Sequence, residues 1–330
     1  MAHEGKSTVE RASAPSVEAA VDVVIVNWNS GPHLRDCVTA LDCSSSAERL
    51  NVIVVDNAST DQSADGLPVS RVYLRLVRNS VNRGFAVACN QGARCGTAPY
   101  LLFLNPDVRL EADAVDSVVA FLADPNQASV GVVGPQLHDP AGCIQRCCAR
   151  TPAVKELLLH RLFLDRLCPA LVSPHFLTDW DHLETRAVDQ VIGACLFIRR
   201  NIFEKLAGFD ERFFLYYEDV DLCLRARRAG WQVMYFVGAR GEHAGGGSTN
   251  AVKGRRLFHL SISRAQYSAK WHGRIAGYAV LISTLGAELP IRWLHAILTR
   301  APQEERSVRQ AMALVCKEVG GRTCRMGGRA

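Results

Sequence analysis

With 330 residues and 48% apolar composition, the chain has enough material for a packed core and is no disordered polyelectrolyte. Its net charge of +5 is uneven: residues 251–330 hold 14 Lys and Arg against 4 Asp and Glu, which points to an anionic neighbour, nucleic acid or an acidic membrane face. The 12 cysteines form no Cys-x-x-Cys pair and no zinc-like Cys/His spacing, and residues 1–20 lack the apolar segment of a signal peptide, so a reducing cytoplasm is expected.

In chain order, residues 1–20 read as a disordered tail. Residues 21–26 form a buried strand that stops in Asn27-Trp28-Asn29-Ser30-Gly31, and a helix follows over about 32–41. A second strand, 52–56, ends in Asn57-Ala58-Ser59-Thr60-Asp61. A third, 72–77, leads through Asn82-Arg83-Gly84-Phe85 into a small-residue helix over about 86–95. The fourth, 100–104, has four apolar residues in a row and stops at Asn105-Pro106-Asp107. Pro106 cannot donate a ladder hydrogen bond and pushes Asn105 out of helical geometry, so the chain turns and leaves Asp107 at the carboxyl end of the strand. Alternatively, Asp107 merely caps a helix starting near Leu110. A helix over about 112–122 and a fifth strand at 130–133 complete a repeated strand and helix alternation, the mark of a parallel sheet whose ligands sit at the carboxyl ends of the strands. No Gly-x-Gly-x-x-Gly follows the first strand and no Gly-x-x-x-x-Gly-Lys occurs, which argues against a dinucleotide-dependent dehydrogenase and a P-loop NTPase.

Regularity lapses over 135–186 apart from a helix at about 154–167. A strand resumes at 190–198, where Gly193-Ala194 removes bulk and admits either a ligand or a packed helix. Five aromatics, Phe209, Phe213, Phe214, Tyr216 and Tyr217, then precede Glu218-Asp219-Val220-Asp221. Three carboxylates in four residues repel one another and call for a helix N-terminus, a cation or water. Leu222, Ala226 and Ala229 supply the helix, and Gly230 its stop. A closing strand, 231–237, runs into a glycine loop carrying His243. Residues 255–271 have helical spacing. The apolar run 275–289 is short for a membrane span and carries Glu288 and Pro290, so it reads as a helix that is buried or lies in a membrane interface. The tail from 301 reads as loose.

Val26-Asn27-Trp28-Asn29, Val55-Asp56-Asn57-Ala58-Ser59-Thr60-Asp61, Asn82-Arg83-Gly84-Phe85-Ala86 to Asn90, Leu104-Asn105-Pro106-Asp107, Gly193-Ala194, Gly208-Phe209-Asp210, Glu218-Asp219-Val220-Asp221-Leu222 and His243 occur in that order. Together they resemble glycosyltransferase family 2, in its rhamnosyltransferase-like branch, over about residues 21–272. The resemblance implies an α/β GT-A fold, a Rossmann-like, mostly parallel sheet flanked by helices. It also implies inverting transfer of a sugar from a nucleotide-diphosphate donor, with L-rhamnose from dTDP-rhamnose as the best candidate. Carried over, it places Asn27, Asn29, Asp56, Ser59, Asn82, Gly84, Phe85, Asn105 and Asp107 at the donor. Gly193, Ala194, Phe209, Asp210, Tyr217 and Glu218 fall at the acceptor, and Asp219 is the catalytic base, with Glu218 and Asp221 as runners-up. Asp107 is the last acid of the family's Asp-x-Asp metal motif, whose first acid is Asn105 here. With His243 it would hold Mg²⁺ or Mn²⁺, supplemented by substrate phosphates and water.

The expected organisation is a tail (1–20), a GT-A domain (21–250), a helical subdomain in possible membrane contact (251–300) and a basic flexible tail (301–330). The expected partners are a nucleotide-sugar and a saccharide acceptor, free or on a polyprenyl diphosphate, with no nucleic acid. The setting would be the cytoplasm, peripheral on the inner membrane face. Competing readings are a sugar-phosphate nucleotidyltransferase, which would need a glycine-rich basic loop where Asn27-Trp28-Asn29-Ser30 stands, and a non-catalytic scaffold or nucleic-acid-binding relative.

Overall fold

Seven consecutive buried residues, Val21–Asn27, form strand β2, and seven more, Leu50–Asp56, form β3. Such runs suit strands covered by helices on both faces. The computed structural model describes residues 8–11, 20–161, 177, 179–245 and 252–326. The chain divides into two compact units: Met1–Thr151, His175–Phe214 and Glu218–Ser248 in one, and Pro152–Pro174, Leu215–Tyr217 and Thr249–Ala330 in the other.

In the first unit, Thr8–Arg11 (β1) is followed by β2, helix α1 (His33–Asp42), β3, β4 (Tyr73–Arg78), α2 (Phe85–Ala93), β5 (Tyr100–Leu104), β6 (Val108–Leu110), α3 (Ala114–Ala123) and β7 (Val130–His138). After β8 (Cys148–Ala149) come β9 (Arg186–Ala187), β10 (Gln190–Val191), β11 (Cys195–Arg199), a helix at Arg200–Lys205, another at Glu218–Arg228, and β12 (Gln232–His243). The sheet order is β1-β4-β3-β2-β5-β11-β7-β12-β6, with β9 pairing β12. Strands β4, β3, β2 and β5 are mutually parallel, as expected. The other half is mixed: β11 is antiparallel to both β5 and β7.

Local detail departs from the sequence reading at several points. Residues 108–110 form a strand and not the start of a helix, because Arg109 and its neighbours pair with Gly241–His243 of β12. The expected strand at 190–198 breaks at Gly193-Ala194 into β10, which pairs β8, and β11, which joins the main sheet. Part of the tail expected to be disordered, β1, adds antiparallel to the edge strand β4. Of the helix expected over 154–167, Val154–Arg161 is helical and residues 162–167 lie outside the described residues.

One buried charge had no sequence signature. Asp22, the second residue of β2, is 1% exposed, and its carboxylate accepts from Asn51 Nδ2 at 2.6 Å, from the Ala98 amide at 2.9 Å and from the Arg200 guanidinium. Arg200 also donates to the Ala93 and Ala98 carbonyls. A buried carboxylate is tolerable only with this density of donors.

The second unit is helical. Following the first unit's Arg200–Lys205 (α5) and Glu218–Arg228 (α6), and with Val154–Arg161 as α4, it contains α7 (Lys253–His272), α8 (Arg274–Ser283), a π-helical turn at Thr284–Glu288, α9 (Leu289–Leu298) and α10 (Pro302–Met326). Pro290 in the first turn of α9 lacks an amide hydrogen, which accounts for the widened turn before it. Helix α10 corrects the expected flexible tail. Pro302 and the acidic pair Glu304 and Glu305 start it, and Val308, Ala311 and Val315, spaced three and four apart, are buried along one face. No helix among the described residues is long and apolar enough to cross a membrane.

Candidate active site

The parallel strands bring their polar terminators to one edge of the sheet. Asn27 pairs with Asp56 in the β2–β3 register, and Ile25 with Leu104 in the β2–β5 register. Asn27 is fully buried; its Nδ2 lies within 2.9–3.0 Å of Asp56 Oδ1, Ser59 Oγ and Ser63 Oγ, and its Oδ1 accepts from Ser30 Oγ. It therefore orders this wall from behind, which corrects its expected contact with a nucleoside. Asn29 adopts a left-handed φ of 48° and caps the next loop, its Oδ1 accepting from the Thr60 amide at 2.7 Å while its own amide donates to Ser59 Oγ at 3.0 Å. Asp56 is nearly buried, with Arg78 Nη1 3.9 Å from its Oδ2.

Asn57 organises the following loop, a role the sequence reading missed although the residue lies inside a quoted motif. Its Nδ2 donates to Asn82 Oδ1 at 2.9 Å and to the Gly84 carbonyl at 3.2 Å, while its Oδ1 accepts from Asn79 and from the Arg83 amide. Asn82 Oδ1 also accepts from the Gly84 amide. Gly84 has a φ of 85°, and a Cβ there would stand 2.6 Å from the Phe214 carbonyl, which accepts from the Phe85 amide at 2.7 Å. Only glycine fits.

The motif around Phe209 proves structural. Phe209 is 1% exposed and packs edge-on against Phe103 and Phe203, so it is a core residue and not an acceptor platform. Asn90 of α2 holds its backbone in both directions, accepting from the Phe209 amide and donating to its carbonyl at 2.9 Å each. Asp210 Oδ1 accepts from Arg212 Nε at 2.9 Å in a local turn.

Two carboxylates meet the same edge from opposite directions along the chain. Asn105, ending β5, donates its amide to the Ala194 carbonyl at 2.8 Å, and the adjacent Gly193 amide donates to Asp219 Oδ2 at 2.7 Å. The break between β10 and β11 thus joins the turn bearing Asp107 to the helix start bearing Asp219. Asp219 Oδ1 accepts from the Val220 amide at 2.8 Å. Burial pushes the Asp219 carboxyl up, opposed by these two amides. Its neighbour Glu218 is buried, with Oε2 lacking a hydrogen-bond partner among the described residues; burial first, and the Asp219 charge second, push its pKa well up. Asp221 is excluded as a base: it is fully buried and accepts from Arg225 Nε at 2.7 Å, aiming that guanidinium at the Leu206 and Gly208 carbonyls. Immediately before α6, Tyr216 and Tyr217 take left-handed φ values of 69° and 71°, a costly arrangement for non-glycine residues and a frequent mark of functional segments. Tyr217 belongs to the second unit, where its ring packs 5.2 Å from that of Tyr267.

His243 ends strand β12 and does not sit in the expected glycine loop. It pairs with Val108 across β6 and β12, which sets its Nε2 3.5 Å from Asp107 Oδ1. Gln145 clamps it from the other side: its Nε2 donates to the His243 carbonyl at 2.8 Å, so its Oε1 must face His243 Nδ1, also at 2.8 Å. That orientation makes Nδ1 the donor, so that in the neutral tautomer the Nε2 lone pair is directed at the carboxylate. A lone pair facing an anion suits an intervening cation. Among the described residues no three His, Cys, Asp or Glu gather into a complete metal cage, so this pair fits a divalent ion that takes its remaining ligands from phosphate and water. The cysteines supply no alternative: the described ones are free thiols, and Cys37, beside Asn105, is held protonated by burial and by the Asp107 charge.

The chain is similar to known proteins. The family model of Glycosyl transferase family 2 matches residues 22–143. An N-acetylglucosaminyl-diphospho-decaprenol L-rhamnosyltransferase of Mycobacterium tuberculosis is 30% identical over 237 residues, spanning 67% of this chain and 75% of the relative. The chain is a family 2 glycosyltransferase. Within the family it falls in the rhamnosyltransferase-like branch, and the rhamnosyltransferase WbbL of Escherichia coli is 26% identical over 155 residues, 47% of this chain and 56% of that one. The mannosyltransferase PcManGT of Pyrobaculum calidifontis, solved with GDP-Man and Mn²⁺, superposes with a TM-score of 0.51 at 18% identity, over 93% of this chain and 89% of that one. The transferase therefore has the GT-A fold, and membership of this family displaces the nucleotidyltransferase reading.

Proposed function

We propose that this glycosyltransferase moves L-rhamnose from a nucleotide-diphosphate donor, best matched by dTDP-rhamnose, to a hydroxyl of a lipid-linked saccharide acceptor, with inversion and with a divalent ion, Mn²⁺ or Mg²⁺, at Asp107 and His243. The observation that supports the reading is the hydrogen-bonded relay from Asn105 through Ala194 and Gly193 to Asp219, which links the turn before Asp107 to the start of the helix bearing Asp219. The activity of the Mycobacterium tuberculosis relative supports the choice of sugar and acceptor.

In this reading the loop built by Asn57, with Asn82, Gly84 and Phe85, receives the donor diphosphate, and Asp56, Asn29 and Ser59 line the nucleoside side. Asn105 turns the chain so that Asp107 faces the diphosphate. Bound there, the ion would supply electrostatic stabilisation of the departing nucleoside diphosphate. Asp219 accepts the acceptor hydroxyl's proton as its oxygen attacks the anomeric carbon from the face opposite the leaving group. The Gly193 and Val220 amides fix that carboxylate, and its raised pKa improves it as a base near neutral pH. Gly193 and Ala194, beside it, leave room for the acceptor. The experiment is sugar transfer from dTDP-rhamnose with and without Mn²⁺ or Mg²⁺, together with a panel of other nucleotide-sugars compared by thermal stabilisation, since a ligand of the folded state raises its melting point. Stabilisation by a different nucleotide-sugar alone would replace the assigned donor.

A further inference from the structure

Among the described residues, the helical unit carries an apolar face that its own packing leaves bare. Along α8, Ile275, Tyr278 and Ile282 are 86%, 51% and 69% exposed, and their spacing of three and four residues sets them on one side of the helix. In α9 only Leu289 and Ala296 are buried, while Trp293, Leu294 and Leu298 are 38%, 53% and 74% exposed. Exposed apolar side chains in such number mark an interaction surface.

Charge selects the partner. Arg274, Arg292, His295 and Arg300 are exposed among these residues. The single acid between 274 and 300 is Glu288, which is 4% exposed; its Oε2 lies 2.8 Å from Arg264 Nη1 and its Oε1 3.3 Å from Arg292 Nη2. No carboxylate from this segment reaches the surface. Apolar residues, a Trp and a Tyr with polar edges, and exposed cations with no exposed carboxylate in the same segment are the composition of helices lying in a membrane interface, and neither helix is long and apolar enough to span.

We propose that α8 and α9 dock in the plane of an anionic lipid bilayer, with Ile282, Trp293 and Leu294 entering the boundary between headgroups and acyl chains and Arg274 and Arg300 meeting lipid phosphates. This deepens the reading of a membrane-borne acceptor and rests on that reading for its purpose, though not for its existence.

The test is co-sedimentation of the full chain with vesicles of phosphatidylglycerol and phosphatidylcholine, against phosphatidylcholine alone, at low salt. The wild type should pellet with the anionic vesicles and far less with the neutral ones. The triple variant Ile282→Ser, Trp293→Ser, Leu294→Ser should lose at least about tenfold in partitioning, and Arg274→Gln with Arg300→Gln should lose the preference for anionic lipid. Circular dichroism and thermal stabilisation by the nucleotide-sugar, recorded on the same variants, should match wild type, which separates failure of this surface from failure of the transferase site. Wild-type protein remaining in the supernatant would overturn the proposal, as would a triple variant that pellets normally. A wild-type dimer that the triple variant dissociates would overturn it too, by assigning the face to a second copy of the chain.

Discussion

His243 Nε2 stands 3.5 Å from Asp107 Oδ1 although 136 positions separate the two residues, because β6 turns back from Pro106 to pair with the end of β12. The tautomer that makes this contact useful is set by Gln145. Outer-sphere partners of a metal-ligating histidine typically matter by 10–100-fold in affinity. Gln145→Leu should therefore weaken Mn²⁺ binding by about that factor. Titration followed by electron paramagnetic resonance of free Mn²⁺, in the presence of a nucleoside diphosphate, checks this apart from turnover; unchanged affinity would remove His243 from the metal.

Glu218 is expected to destabilise the native state near neutral pH. Its folded pKa is raised by burial and by Asp219, so the native state holds a proton that the unfolded chain releases. Stability therefore falls as pH climbs from the ordinary glutamate range toward the raised value. Glu218→Gln removes that dependence and should raise the melting temperature at pH 7. Each kcal/mol recovered by losing that linkage corresponds to roughly 2–4 °C in a domain of this size. Calorimetry from pH 5 to 8 should show a flatter profile than wild type; a melting temperature that drops would mean that Glu218 has a partner the carboxylate needs.

Gly84→Ala places a methyl group 2.6 Å from the Phe214 carbonyl in a backbone conformation with φ of 85°. The expected cost is about 1–3 kcal/mol, with a raised KM for the donor because the Asn82 to Phe85 loop must shift. Steady-state kinetics and thermal melts together read both effects.

Phe209→Ala distinguishes a core role from a binding one. Removing a buried ring should cost about 3–5 kcal/mol. An acceptor platform would instead raise the acceptor KM while leaving the melting temperature in place, an outcome that the burial of Phe209 argues against.

The sequence revealed most where information is local. The apolar runs of β2, β3 and β5 and the polar residues ending them mark both the parallel half of the sheet and its ligand edge. Features that depend on distant pairing were not legible. Nothing near His243 announces that it will join β6 or meet Gln145, and nothing near Asp22 announces Arg200. Asn27 and Phe209 were placed at the ligand because motif membership does not separate residues that touch a substrate from those that hold the wall behind it. The last helix escaped notice because its buried stripe, Val308, Ala311 and Val315, is narrow and surrounded by charge.

The most direct test of the account is the turnover of Asp219→Asn in a rhamnosyl-transfer assay with dTDP-rhamnose, a divalent ion and a lipid-linked acceptor, measured across pH. The substitution should lower kcat by about 10²–10⁴-fold with donor binding nearly unchanged. It should also abolish the fall in wild-type kcat as pH drops through a value above the ordinary aspartate range. A variant that transfers rhamnose at the wild-type rate, with the same acid limb, would contradict the assignment of Asp219 as the base.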